Sequence, residues 1–228
     1  MFGSKQLTTV AEETIWEHKL VFAQVSEGVR YVRYHKNREE VRLLIPGKAT
    51  NYNLTPRIPA PHHLDSATHL MIKLPTPIVV GPWDSVNLTL KIPTDVTVSI
   101  GDYEIDNFPL GRIKYALYGP PESGFLCRYV VANDREVEEE FQATFSLNIF
   151  NKLAKPVTVS KFVIKPVEWG VYLDEGGLAY NDTVYLTILD ERKAEVTTES
   201  AMMNVRKRLI PIIPAATGRT VLIMIHGY

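Results

Sequence analysis

A chain of 228 residues, 45% apolar and 22% charged with a net charge of −1, has the ordinary balance of a folded globular protein and is long enough to bury a sizeable core. Near-neutrality excludes a dominant electrostatic partner such as bulk nucleic acid or an anionic membrane surface. The single cysteine, Cys127, excludes an intrachain disulfide and a cysteine metal cluster.

No run approaches the roughly 20 apolar residues of a membrane-spanning helix, and Met1 to Val10 lacks the apolar stretch of a secretory signal. The expected location is therefore the cytoplasm, where the sequons at Asn53, Asn87 and Asn181 are chance matches. One Cys, 15 Pro and only Gln6, Gln24 and Gln142 as glutamines lean towards a thermophilic source.

In chain order, residues 15–25, 29–35 and 41–45 read as strands, with a turn at Lys36-Asn37-Arg38-Glu39. Arg30, Tyr31, Arg33, Tyr34, His35, Lys36, Arg38 and Arg42 interleave cations with aromatics, a pattern able to track phosphates and stack bases. Glu39 and Glu40 offset that charge, and strand cations also block edge pairing. Nucleic-acid binding through the 30–42 hairpin is the least favoured reading. His62, His63, Asp65 and His69 form the densest set of metal-ligand residue types. They lie in a proline-rich loop without helical His spacing, so no metal and no cofactor is expected.

Strict alternation marks Val86 to Ile92 and Val96 to Ile100, read together as a hairpin turning at Pro93-Thr94-Asp95. Asp102, Glu104 and Asp106 have the spacing of one strand face, where carboxylates can converge on a hard cation, but no second ligand set accompanies them. Lys114 to Tyr118 and Phe125 to Tyr129 flank Gly119-Pro120-Pro121-Glu122-Ser123-Gly124, which is turn chemistry between β-formers. Lys114, Tyr118 and Arg128 are the candidate ligand-binding residues, as an anion site lined by tyrosine. The alternative is a cross-strand aromatic cluster whose cations reach water.

Phe141 to Ile149 is the cleanest strand, broken at 151–155 and resumed over Val157 to Ile164; Val184 to Ile188 makes another. Glu199 to Leu209, with Ala201, Val205 and Leu209 on one face, predicts a short C-terminal helix stopped by Pro211 and Pro214. Cations at Arg206-Lys207-Arg208 suit a last helical turn. The closing Ile225-His226-Gly227 is similar to an α/β-hydrolase oxyanion turn, but no Gly-x-Ser-x-Gly elbow occurs, which excludes that enzyme.

The segment Phe108 to Tyr129, with Phe-x-Leu-x-x-x-Lys-Tyr-Ala-Leu-Tyr-Gly followed by Gly-x-x-x-Arg-Tyr, resembles an archaeal family of unknown function (domain of unknown function, number four-three-two). Pro59-Ala60-Pro61, Tyr31 to Arg33 and Phe145 to Ile164 are compatible with it. The resemblance implies an archaeal source and transfers no activity or catalytic residue.

These readings define an all-β, antiparallel β-sandwich protein with one short C-terminal helix. Two lobes are expected, 1–135 and 136–228, divided in the acidic stretch from Asn133 to Glu140; a single elongated domain fits the pattern equally. The leading function is a non-enzymatic binding or assembly module with a protein partner or self-association. The alternative is a protein or enzyme that takes an anionic small molecule near Lys114 and Arg128.

Overall fold

Alternating apolar and polar residues dictate strands throughout, and the computed structural model arranges them in four sheets. It describes residues 2–59, 68–166, 169–191, 193–200, 207–209 and 220–223, the last two segments by their backbone. The first sheet is a meander of β2 (Val10–Ile15), β3 (His18–Val25), β4 (Gly28–His35) and β5 (Arg38–Pro46). Lys36 and Asn37 both adopt positive φ in its β4–β5 turn, which matches the predicted hairpin. The second sheet has the order β1 (Gly3–Gln6), β6 (Asn51–Arg57), β9 (Asp95–Ile100), β10 (Tyr103–Pro109). Leu20, Phe22, Tyr31, Tyr52, Val98 and Phe108 from these two sheets belong to one buried cluster.

The third sheet runs β11 (Lys114–Tyr118), β12 (Phe125–Val131), β7 (His69–Val80), β14 (Val157–Ile164). The fourth is built around β13 (Gln142–Asn151), flanked by β8 (Ser85–Pro93) on one side. On its other side lie β16 (Ala179–Asn181) and β17 (Thr183–Asp190). β15 (Val171–Leu173), β18 (Lys193–Glu199), β19 (Lys207–Leu209) and β20 (Thr220–Ile223) extend that sheet. Ile72, Leu90, Phe145, Phe162, Trp169 and Leu186 belong to a second buried cluster, drawn from the third and fourth sheets and the chain beside them.

Three sequence expectations are corrected. No α-helix occurs among the described residues: Lys207–Leu209 is a strand paired with Val171–Leu173, Tyr172 opposite Arg208. A short helix is marginal without tertiary support, and a sheet edge satisfies the same backbone groups; positions 201–206 of the expected helix lie outside the described residues. The sheets are mixed, because β7 with β12 and β13 with β16 and β17 run parallel. Finally, β8 and β9 are no hairpin. β8 pairs with β13 and β9 with β6 and β10, so the chain changes sheet at Thr94. Its N–H and hydroxyl both donate to the Phe141 carbonyl at 3.0 Å, which holds the crossing in place.

A buried charge cluster ties the first two sheets together. Arg33 on β4 donates from Nε to Asp106 Oδ2 on β10 at 2.7 Å, pairs with Glu40, and lies 4.9 Å over the Phe108 ring. Tyr31 donates to the same Asp106 oxygen at 2.8 Å; burial and that carboxylate hold its phenol well above the ordinary range. His18, 5% exposed, stacks on His35 at 4.6 Å and meets Arg33 Nη1 through Nδ1 at 3.4 Å. Because Arg33 is a donor only, Nδ1 accepts and Nε2 carries the proton.

Burial, reinforced by Arg33 and His35, lowers the His18 pKa from 6.5 to about 4. Between those values the unfolded chain binds a proton that the folded one refuses. Stability therefore falls as pH drops from about 6.5 towards 4, by up to about 3 kcal/mol. Urea unfolding at pH 7 and pH 4.7 is expected to show most of this loss in the wild type and to show it removed in His18→Gln. An equal loss in both proteins would assign the slope elsewhere.

Candidate functional site at the sheet junction

The loop between β11 and β12 closes because two glycines permit it. Gly119 has φ +110°, and a Cβ on Gly124 would sit 2.8 Å from the Tyr118 and Pro120 carbonyl oxygens. The register then sets which side chains share a face. Lys114 stands opposite Tyr129, Ala116 opposite Cys127 and Tyr118 opposite Phe125. The other face carries Tyr115 opposite Arg128 and Leu117 opposite Leu126. Tyr118 and Phe125 stack at 6.3 Å, as the cross-strand reading expects, whereas Tyr115 meets Arg128 rather than Tyr129.

Arg128 is 5% exposed and reaches Asp95, the first residue of β9, through two parallel bonds of 2.6 Å. This is a bidentate guanidinium–carboxylate pair. It links the third sheet to the second beside two crossings of the chain, from the fourth sheet to the second at Thr94 and from the second to the third along 110–113. A cleft of about 50 Å³ lies there, lined by Asp95, Arg128, Arg112, Lys114, Asp134 and Glu136 among others. Ligand pockets typically enclose about 300–1,000 Å³, so the cleft has room for a small ion or a few water molecules.

Lys114 and Arg128 therefore do line one cleft, but the Arg128 charge is matched by Asp95 inside the protein. Tyr118 does not line it; its ring is buried against Phe125, with Lys161 Nζ 6.0 Å from its centroid. The lining carries Arg112, Lys114 and Arg128 together with Asp95, Asp134 and Glu136, so its formal charges cancel. Cys127, fully buried, has its thiol pushed up to about 11 by desolvation, which suits packing and not nucleophilic chemistry.

The other sequence candidates disperse. His69 opens β7 within 2.7 Å of Thr68 Oγ1 and stacks on Phe125 at 4.8 Å. His62, His63 and Asp65 lie outside the described residues. Among the described residues no three His, Cys, Asp or Glu are grouped to hold a metal ion. A bulge between Glu104 and Asp106 separates the expected carboxylate face: Glu104 turns to Arg57 and Asn107, and Asp106 to Arg33. In the 30–42 hairpin, Arg33 is consumed by the interior and Arg42 by Glu39.

Beside the exposed Lys114 and Glu122, the hairpin leaves four large apolar side chains outside. Tyr115, Leu117, Phe125 and Leu126 are 40%, 45%, 38% and 38% exposed. β11 is an end strand of its sheet, paired among the described residues with β12 alone. It contains no proline and no bulge, and its one charge is at its first position. Those are the devices that usually protect an edge.

A family model described as "Protein of unknown function (DUF432)" matches residues 1–219. No curated protein and no solved structure matches the chain.

Proposed function

The chain belongs to the DUF432 family, and from that premise we propose that it is a non-enzymatic binding module that engages a protein partner by adding a strand to the β11 edge. The exposed apolar side chains on this edge, which among the described residues pairs with β12 alone, carry the reading. Strand addition takes its affinity from main-chain bonds and its specificity from side chains on alternate faces. Tyr115 and Leu117 lie on one such face, beside Leu126.

Two features support binding over catalysis. The buried cations Arg33 and Arg128 are matched by carboxylates, and the junction cleft is small. Arg112 and Lys114 on that cleft favour a second reading, a small anionic ligand. No helix among the described residues is long and apolar enough to cross a membrane. The few glutamines, the single cysteine and the prolines support the reading of a thermophilic source, the family resemblance that of an archaeal one, and the apolar-poor N-terminus that of a cytoplasmic protein.

A photo-cross-linker at position 117 tests the proposal, with position 79 as control because Val79 is equally apolar and 65% exposed. The expected result is a protein cross-linked from 117 alone, its contact mapped by mass spectrometry to a strand-length segment. No cross-link from 117, together with a melting-temperature rise from an anionic metabolite that Lys114→Ala abolishes, would favour the small-ligand reading instead.

A further inference from the structure

Beyond the edge-binding reading, and independent of it, we propose that the cleft at the sheet junction holds the charged head of a small zwitterion, an α-amino acid or a similar ammonium carboxylate. Two segments bring charge of opposite sign to the lining. Arg112 and Lys114 come from the crossing segment and the first position of β11, Asp134 and Glu136 from the loop after β12. Among the described residues none of these four side chains is in an ion pair. Their one hydrogen bond stays within the loop, from the Glu136 N–H to Asp134 Oδ1 at 3.0 Å. The other charges of the lining, Arg128 and Asp95, are bonded to each other.

An anion alone meets two carboxylates as well as two cations, and a cation alone meets the reverse. A ligand that carries both charges has a partner for each, so electrostatic complementarity selects it over either single ion. Its carboxylate accepts from Arg112 and Lys114, and its ammonium donates to Asp134 and Glu136. The volume agrees: at about 10–15 Å³ per water-sized group, the cleft of about 50 Å³ admits roughly three to five of them, which an ammonium, one carbon and a carboxylate fill. Leu110, Val130 and Val137, which also line the cleft, suit that carbon. Both charge-bearing segments are fixed in advance. The buried Gln142 side chain donates to the Asp134 and Val137 carbonyls at 2.9 and 2.6 Å. Asn133 is bonded through its N–H and its Oδ1 to the main chain of Lys91, and Lys114 is held in register with Tyr129. Such preorganisation lowers the entropic cost of binding. Arg112, Lys114 and Glu136 are exposed, so water and salt screen them. Affinity is consequently in the millimolar range and weakens as ionic strength rises.

Nuclear magnetic resonance titration of isotope-labelled protein at low salt tests this, with glycine, L-alanine, acetate and ethylamine as probes. Glycine and L-alanine are expected to shift the amides of residues 110–114 and 134–137 and to saturate in the millimolar range. Acetate and ethylamine are expected to bind about tenfold more weakly. Lys114→Ala and Glu136→Gln, both at exposed positions, are each expected to weaken glycine binding about three- to fivefold, with circular dichroism verifying the folds. Glu122→Gln, outside the lining, is expected to leave binding unchanged. Acetate binding as tightly as glycine would overturn the proposal in favour of a simple anion. No shift with either amino acid, or a shift indifferent to either Lys114→Ala or Glu136→Gln, would overturn it outright. None of these outcomes alters the cross-linking expected from position 117, so the edge-binding reading stands or falls separately.

Discussion

Asp95→Ala is expected to destabilise the protein by about 3–5 kcal/mol in urea unfolding, because it leaves the Arg128 guanidinium buried with its bidentate partner gone. The loss comes from breaking a buried ion pair on one side and does not measure what the intact pair contributes. Bringing both ions out of water costs nearly what their attraction returns, so replacing both by apolar groups of similar volume costs little. The double variant Asp95→Leu with Arg128→Met is therefore expected to recover most of the stability. A double variant as unstable as Asp95→Ala would instead show that the pair supplies net stability where the chain passes between sheets.

Trp169→Ala is the second large effect, again about 3–5 kcal/mol. Trp169 is 1% exposed, sets its ring edge-on to Phe145 at 4.9 Å and donates Nε1–H to the Asp182 carbonyl at 2.8 Å. The same Asp182 accepts Gly170 N–H and the Tyr172 hydroxyl through its carboxylate, both at 2.6 Å. Truncation thus opens a cavity in the second core and strips one bond from a buried polar node. Trp169→Phe keeps most of the volume and is expected to cost about 1–2 kcal/mol, chiefly the unpaired carbonyl. Equal losses in the two variants would mean that the hydrogen bond, not the volume, dominates.

Much of the strand pattern is legible because alternation reports which face is buried, as it does along β13; in β14 it fails beyond the bulge, where Phe162, Val163 and Ile164 are all buried. Alternation does not report which strand is the neighbour. Val86 to Ile92 and Val96 to Ile100 therefore read as one hairpin, although Thr94 sends its halves to different sheets. Parallel pairs such as β12 with β7 join strands far apart in sequence, beyond any local signal.

Asp95 shows the same limit at the site. It is in phase with Thr97 and Ser99, the half-exposed face of β9, yet is 4% exposed because Arg128 covers it. Arg33, by contrast, was detectable. It is in phase with Val29 and Tyr31, both fully buried, and a cation on a core face requires a buried carboxylate. That β11 is an end strand among the described residues is not legible in the sequence, since end position is a property of the assembled sheet.

Hydrogen–deuterium exchange of the Lys114–Tyr118 segment, compared between the protein alone and the protein bound to the partner cross-linked from position 117, tests edge pairing most directly. Strand addition predicts slower exchange of these amides in the complex, an effect lost in Leu117→Lys. Unchanged exchange at β11, with protection arising elsewhere on the surface, would contradict the account.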